Sequence, residues 1–269
     1  MCFKRKPIDE PLKKIKLRSL SWTINDYPGS VNDLNGCNND ARQVKETLLN
    51  FWPDFDVHTY MDSYAKVSTF KVKVAESISL LDEGAIVLVL ADSCFSGTIT
   101  RIIGTEFNNC LVENNHPNKN RFYKQPDIPI IFKPKNGMFA GRGDIRWIVM
   151  SGCGETQYSA DAYINNDYHG AFTWYAMKLL RPGITYRQWY NDIRVYLPSS
   201  DFEQAPTIEG PDWMLDTPVF STQTLVIHNS THGTQLKGIY GDELIDEAIC
   251  LYDGNIRDNE YYNLLNNIK

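Results

Sequence analysis

No apolar run in this sequence approaches the roughly 18 residues that a membrane span needs, which argues against a membrane protein. The six cysteines (Cys2, Cys37, Cys94, Cys110, Cys153 and Cys250) form neither a CxxC pair nor a zinc-finger spacing, so neither a redox motif nor a structural zinc site is expected. Positive charge is not in surplus. The formal net charge is −6 and no basic stripe laced with aromatics runs through the chain, which speaks against nucleic acid as a partner and suits a cationic substrate better. There is no G-x-S-x-G elbow and no internal repeat. The first residues, MCFKRKPIDEPLKKIK, are basic but lack the apolar core of a secretory signal. Residues 1–16 read as a polar tail rather than a lipidated one, and a reducing, cytoplasmic setting is expected.

The sequence does have 42% hydrophobic residues over 269 positions, enough for one α/β domain spanning 17–269. Its most informative stretch is Ala85 to Gly97, AIVLVLADSCFSG: an unbroken apolar run that ends in small polar residues. Such a run reads as a strand buried on both faces, with Asp92, Ser93 and Cys94 at the rim where α/β sheets place ligands. Cys94 is a candidate nucleophile if a base reaches it, and otherwise a buried structural thiol. A second apolar run, TLVIHNSTHGTQ (Thr224 to Gln235), ends in a turn carrying His232 and Gly233.

Together, a strand ending in DSCFSG and a strand ending in STHGTQ resemble the two catalytic strands of the caspase and metacaspase cysteine peptidases. The family text INDYPG and LNGCNNDARQV follows the first expected strand, Leu17 to Asn25. The resemblance implies a caspase-like three-layer sandwich, with a mostly parallel sheet of about six strands and helices on both faces. It makes Cys94 the nucleophile and His232 the base, on adjacent parallel strands, with the backbone N–H groups of Cys94 and Gly233 holding the oxyanion. Asp40 and Asp92 become an acidic pocket selecting Arg or Lys before the cut bond, the metacaspase rather than the caspase preference. Ser151, in the SGC turn ending another strand, falls beside the substrate cleft, and Cys153 becomes a pocket-side or structural thiol. No cofactor is needed for the chemistry, although many members bind calcium. Asp246 and Asp258 stand at matching places, with Asn259 and Arg101 where further acids are expected.

The order of segments departs from the family. Its His strand precedes the Cys strand, whereas here the missing block appears as residues 223–269. The tail strand Leu225 to Ile227 is nevertheless expected beside Ile86 to Leu90, docked in its own chain or in a segment-swapped dimer. A non-catalytic caspase-like interaction domain is the alternative to a peptidase.

Elsewhere the spacing predicts helices over Asn38–Asn50, Phe70–Leu81 and Thr185–Leu197, and strands at Val57–Tyr60, Ile145–Met150, Ala205–Gly210 and Pro218–Phe220. Asp40 fits two roles, a helix cap with Gln43 completing a capping box, or a pocket acid. His169, in HGAFTWYAM, reads as a helix-start residue with no strand before it. The stretch Thr98 to Asp144 reads as a long irregular loop. Its basic residues Arg101, Lys119, Arg121, Lys124, Lys133, Lys135 and Arg142 are either self-cleavage sites or part of a solvated insertion.

Overall fold

Two seven-residue runs, Ile86–Asp92 and Thr224–Ser230, are buried along their whole length, and they form the middle of the sheet. The computed structural model describes residues 16–29, 32–94, 119–123, 125, 145–154, 157–239 and 245–268. In chain order the elements are β1 (Leu17–Thr23), α1 (Cys37–Phe51), β2 (Asp56–Met61), α2 (Val67–Ser79), β3 (Ile86–Asp92), β4 (Lys119–Asn120) and β5 (Phe122–Tyr123). Then follow β6 (Ile148–Ser151), β7 (Ala160–Ile164), β8 (Asp167–Gly170), α3 (Ala171–Leu179), α4 (Tyr186–Arg194), β9 (Thr207–Glu209) and α5 (Asp212–Leu215). The chain ends with β10 (Thr224–Ser230), β11 (Gly233–Lys237), β12 (Ile245–Leu251), β13 (Gly254–Arg257) and α6 (Asp258–Leu265).

The main sheet has six strands in the order β2-β1-β10-β3-β6-β9, all parallel except β9. Alternation along β3 divides its side chains between two cores. Val87 and Val89 join Leu225 and Ile227 of β10 under Phe70 and Val74 of α2 and Tyr261 and Leu265 of α6. Ile86, Leu88 and Leu90 join Val226 against Val44 and Leu48 of α1, Phe172 of α3 and Trp189 and Ile193 of α4. Helices therefore cover both faces, which is why the central strands carry continuous apolar runs rather than alternating ones. Two small sheets, β13-β12-β11-β5 and β4-β7-β8, stand beside the main one.

The tail strand docks in its own chain. Leu225 lies opposite Val87 and Ile227 opposite Val89 on one side, and Ile227 pairs with Leu20 of β1 on the other. The three residues Ser221–Gln223 do not have to span the sheet. Phe220 is already seated under it, its ring against Trp52, Phe55 and Tyr186, at a left-handed φ of 54°. Gln223 then bonds both ends of the turn before β3: its carbonyl takes Ile86 N (2.9 Å) and its side chain takes Asp82 N (2.7 Å).

Three local expectations are corrected. α1 begins at Cys37 after a Gly36 cap, so Asp40 is inside the first turn and caps nothing. His169 lies on the short strand β8, held by its hairpin with β7; a two-to-five-residue strand has too little periodicity to be seen. Pro218 makes only an isolated bridge to Thr185, because Val219 and Phe220 are drawn into the core beneath the sheet. Among the described residues no helix is long and apolar enough to cross a membrane.

Candidate active site

β3 and β10 run side by side in register, and their last pair is Asp92 with Ser230. Cys94 and His232 each follow two residues later, so both are delivered to the same C-terminal sheet edge. Gly233 is forced by the packing: a Cβ there would overlap the Cys94 carbonyl. Thr231, the neighbour of His232, is fully buried.

Between these turns lies the chain's own Arg121, fully buried. One guanidinium nitrogen donates to Ser230 Oγ (2.7 Å) and to the Asp92 carbonyl (3.1 Å), with the Asp92 carboxylate at 3.5 Å. The other donates to Asp40 Oδ2 (2.9 Å) and Asp161 Oδ1 (3.1 Å). A Cβ on Gly170 would overlap both the Asp92 carboxylate and this guanidinium, so the glycine gives the pocket its room.

The backbone around Arg121 is held like an added strand. Lys119–Asn120 pairs antiparallel with β7, and Phe122–Tyr123 pairs parallel with β11. Arg121 N donates to the Ser159 carbonyl (2.9 Å), and Thr234 Oγ1 donates to the Tyr123 carbonyl (2.6 Å). The Arg121 carbonyl accepts from Gly233 N at 2.9 Å and, at a long 3.5 Å, from Cys94 N. Those are the two N–H groups expected to hold an oxyanion.

Electrostatics follow from burial. Burial pushes Asp40 up, but Arg121, the His169 ring 3.7 Å away and the hydrogen bond from Ser230 Oγ outweigh it and hold the carboxyl below its usual range. Asp92 is pushed up by burial, only partly offset by Arg121 and further raised by Asp40. Its carboxylate is held by Ser159 Oγ and by Thr173 N (2.8 Å) and Oγ1 (2.7 Å). The Cys94 thiol is pushed well up by burial and by the neighbouring Cys153, and its sulfur accepts from Ser159 N (3.0 Å). Cys94 therefore rests as a thiol.

His232 is lowered by burial, so the ring is neutral at pH 7. Nε2 lies 2.8 Å from the Asn32 carbonyl. A carbonyl only accepts, which assigns the proton to Nε2 and leaves Nδ1 a bare lone pair. Nδ1 is buried and has no hydrogen-bond partner. The His232 backbone N–H donates to Tyr27 Oη (2.8 Å).

Of the expected site residues, Cys94, His232, Gly233, Asp40 and Asp92 are brought together. Ser151 is buried on β6 with its hydroxyl unbonded, and the serine that touches the guanidinium is Ser230. Asp246 is paired with Arg257, and Asp258 accepts from its neighbour Asn259 N (2.8 Å). Arg257 takes one Asp246 oxygen, Oδ2, while Oδ1 is buried without a hydrogen-bond partner; calcium wants several carboxylate oxygens. Among the described residues no group of three or more acids, His or Cys could hold a metal. Arg101 and residues 240–244 lie outside the described residues. Sequence reasoning missed Asp161, Ser159, Ser230, Tyr27 and the Asn32 carbonyl. Asp161 and Ser159 follow the SGC turn by a few residues and match no motif, and a backbone carbonyl has no sequence signature. Arg121 appeared only as one of seven basic residues.

No protein-family model matches the sequence, and no curated protein matches it. Among solved structures, the chain is similar to the crystal structure of protein GSU0716 from Geobacter sulfurreducens, at 16% identity and a TM-score of 0.54. That likeness covers 77% of this chain and 99% of that one, and it supports the α/β fold with its mostly parallel sheet.

Proposed function

We propose that the chain is a cysteine endopeptidase of the metacaspase type that cuts after Arg, and after Lys more weakly, and that its first substrate is its own Arg121–Phe122 bond. The observation that carries the reading is Arg121 itself: its side chain fills the acidic pocket while its carbonyl faces the N–H groups of Gly233 and Cys94. An Arg places two nitrogens on two sets of acceptors, whereas a Lys has one charged nitrogen for both, which favours Arg.

In this reading the Cys94 sulfur attacks the Arg121 carbonyl carbon, and the developing oxyanion takes the Gly233 and Cys94 N–H bonds. The thiol proton passes to His232 Nδ1 and from there to the Phe122 nitrogen, which leaves as an amine. The Arg121 acyl group stays on Cys94 as a thioester until water releases it as a carboxylate. Asn32 keeps Nε2 protonated throughout. Until the bond is cut, Arg121 also excludes other substrates, so self-cleavage opens the site.

Mass spectrometry of the purified full-length chain tests this. Fragments ending at Arg121 and starting at Phe122 are expected, and none from Cys94→Ala. Fluorogenic peptides with Arg, Lys or Asp before the bond should then rank in that order. An intact wild-type chain that also fails to react with an arginyl fluoromethyl ketone overturns the peptidase reading in favour of a non-catalytic domain plugged by Arg121.

A further inference from the structure

Asp161 does more than face the guanidinium. Its Oδ2 accepts Asn35 N (2.7 Å) and its Oδ1 accepts Gly36 N (2.9 Å), while the same Oδ1 takes Arg121 at 3.1 Å. Asn35 and Gly36 end the loop whose start supplies the Asn32 carbonyl to His232 Nε2. That loop is braced along its length. Tyr27 N donates to Asp33 Oδ1 (3.1 Å), Leu34 N donates to the Asn25 carbonyl (2.9 Å), and Tyr27 Oη accepts from His232 N (2.8 Å). The substrate-like segment grips it a second time, through Lys119 Nζ on the Asp33 carbonyl (2.9 Å). The approach of Asp161 depends on Gly36. A Cβ there would lie 2.6 Å from Asp161 Oδ1 and from His169 N, although the Gly36 backbone (φ −97°, ψ −17°) is open to any residue.

We infer that Asp161 is a positioning residue that couples occupation of the pocket by an arginine to the seating of His232, through the loop Asn32–Gly36. This rests on the peptidase reading. Asp40 supplies the contrast, because it binds the same guanidinium but accepts neither Asn35 N nor Gly36 N. Losing either acid weakens the hold on arginine. Losing Asp161 also loosens the carbonyl that fixes the base, and a misplaced base lowers turnover even when substrate saturates the enzyme.

Two measurements test the coupling. On Arg peptides, Asp40→Asn should mainly raise KM, while Asp161→Asn and Gly36→Ala should lower kcat by about ten- to a hundredfold. Gly36→Ala keeps every pocket charge, so its KM should change least. Independently of turnover, the His232 ring nitrogens can be followed by NMR in the full-length Cys94→Ala chain. A single Nε2-protonated tautomer is expected there, becoming a mixture on adding Asp161→Asn or Gly36→Ala. An unchanged His232 spectrum in both, or kinetic effects of Asp161→Asn confined to KM, overturns the coupling. If wild type cleaves nothing yet the His232 signals respond, the peptidase reading falls and the coupling stands.

Discussion

Three carboxylates, those of Asp40, Asp92 and Asp161, share a single guanidinium inside the protein. Burying such a cluster is tolerable only while the cation is present, since breaking a buried pair leaves charge uncompensated. Replacing Arg121 by Met in a Cys94→Ala background should therefore cost about 3–5 kcal/mol at pH 7. The cost should shrink at pH 5. Without the cation, burial raises the carboxyl groups above their unfolded values, so the folded state binds more protons and gains stability as pH falls. Urea melts at the two pH values check this, and an equal loss at both would contradict it. His228, beneath the pocket and 3.4 Å from Thr173 Oγ1, works in the opposite sense. Burial lowers it from 6.5 to about 4, so the unfolded chain protonates first. Stability carried by neutral His228 is whole above pH 6.5 and is lost as pH falls towards 4, by up to about 3 kcal/mol. In His228→Gln that contribution to the pH slope should vanish from the same melts.

At the scale of elements, β3 and β10 were legible because burial on both faces demands an unbroken apolar run, and few other structures produce one. The helices α1, α2 and α4 were legible from their 3.6-residue period, to within a few residues at each end. β4, β5 and β8 were not. Strands of two to four residues carry no period, and their existence depends on partners distant in the chain. Asp40 shows the same limit at one position. Its spacing to Gln43 is a capping signal, but the helix starts three residues earlier and the carboxylate turns into a pocket built by β8, β10 and Arg121. The Cys and His motifs thus pointed to the sheet edge where Cys94 and His232 meet, while Asp161 and the Asn32 carbonyl became visible only once the loops were placed. Because β10 is paired on both sides, Ile227, fully buried between β1 and β3, should be intolerant of shortening. Ile227→Ala is expected to cost about 2–5 kcal/mol by denaturant unfolding.

For the whole molecule, the chain order has a consequence for the proposed cut at Arg121–Phe122. In the caspase-like order that the motifs resemble, the Cys and His strands would lie on the same side of such a cut. Here the first fragment, 1–121, carries β1, β2, β3, α1, α2 and Cys94, and the second, 122–269, carries β6, β9, β10, α6 and His232. Under the proposed function, nucleophile and base therefore end up on different chains. They stay together only if the fragments interlock, and the sheet order supplies the interlock. β10 of the second fragment is inserted between β1 and β3 of the first, paired over seven residues on each side, and β6 pairs with the other edge of β3. Both cores are mixed as well, with Phe70 and Val74 against Tyr261 and Leu265 on one face, and Val44 and Leu48 with Phe172 and Trp189 on the other. Separating the fragments would expose both cores at once, which is as costly as unfolding. The cleaved protein should therefore elute as one species in native size-exclusion chromatography and run as two bands under denaturing conditions. Fragments parted in denaturant should each be inactive on Arg peptides, and activity should return when they are refolded together but not when either is refolded alone. Fragments that drift apart under native conditions, or a lone fragment with turnover, would show that the two strands do not share one site.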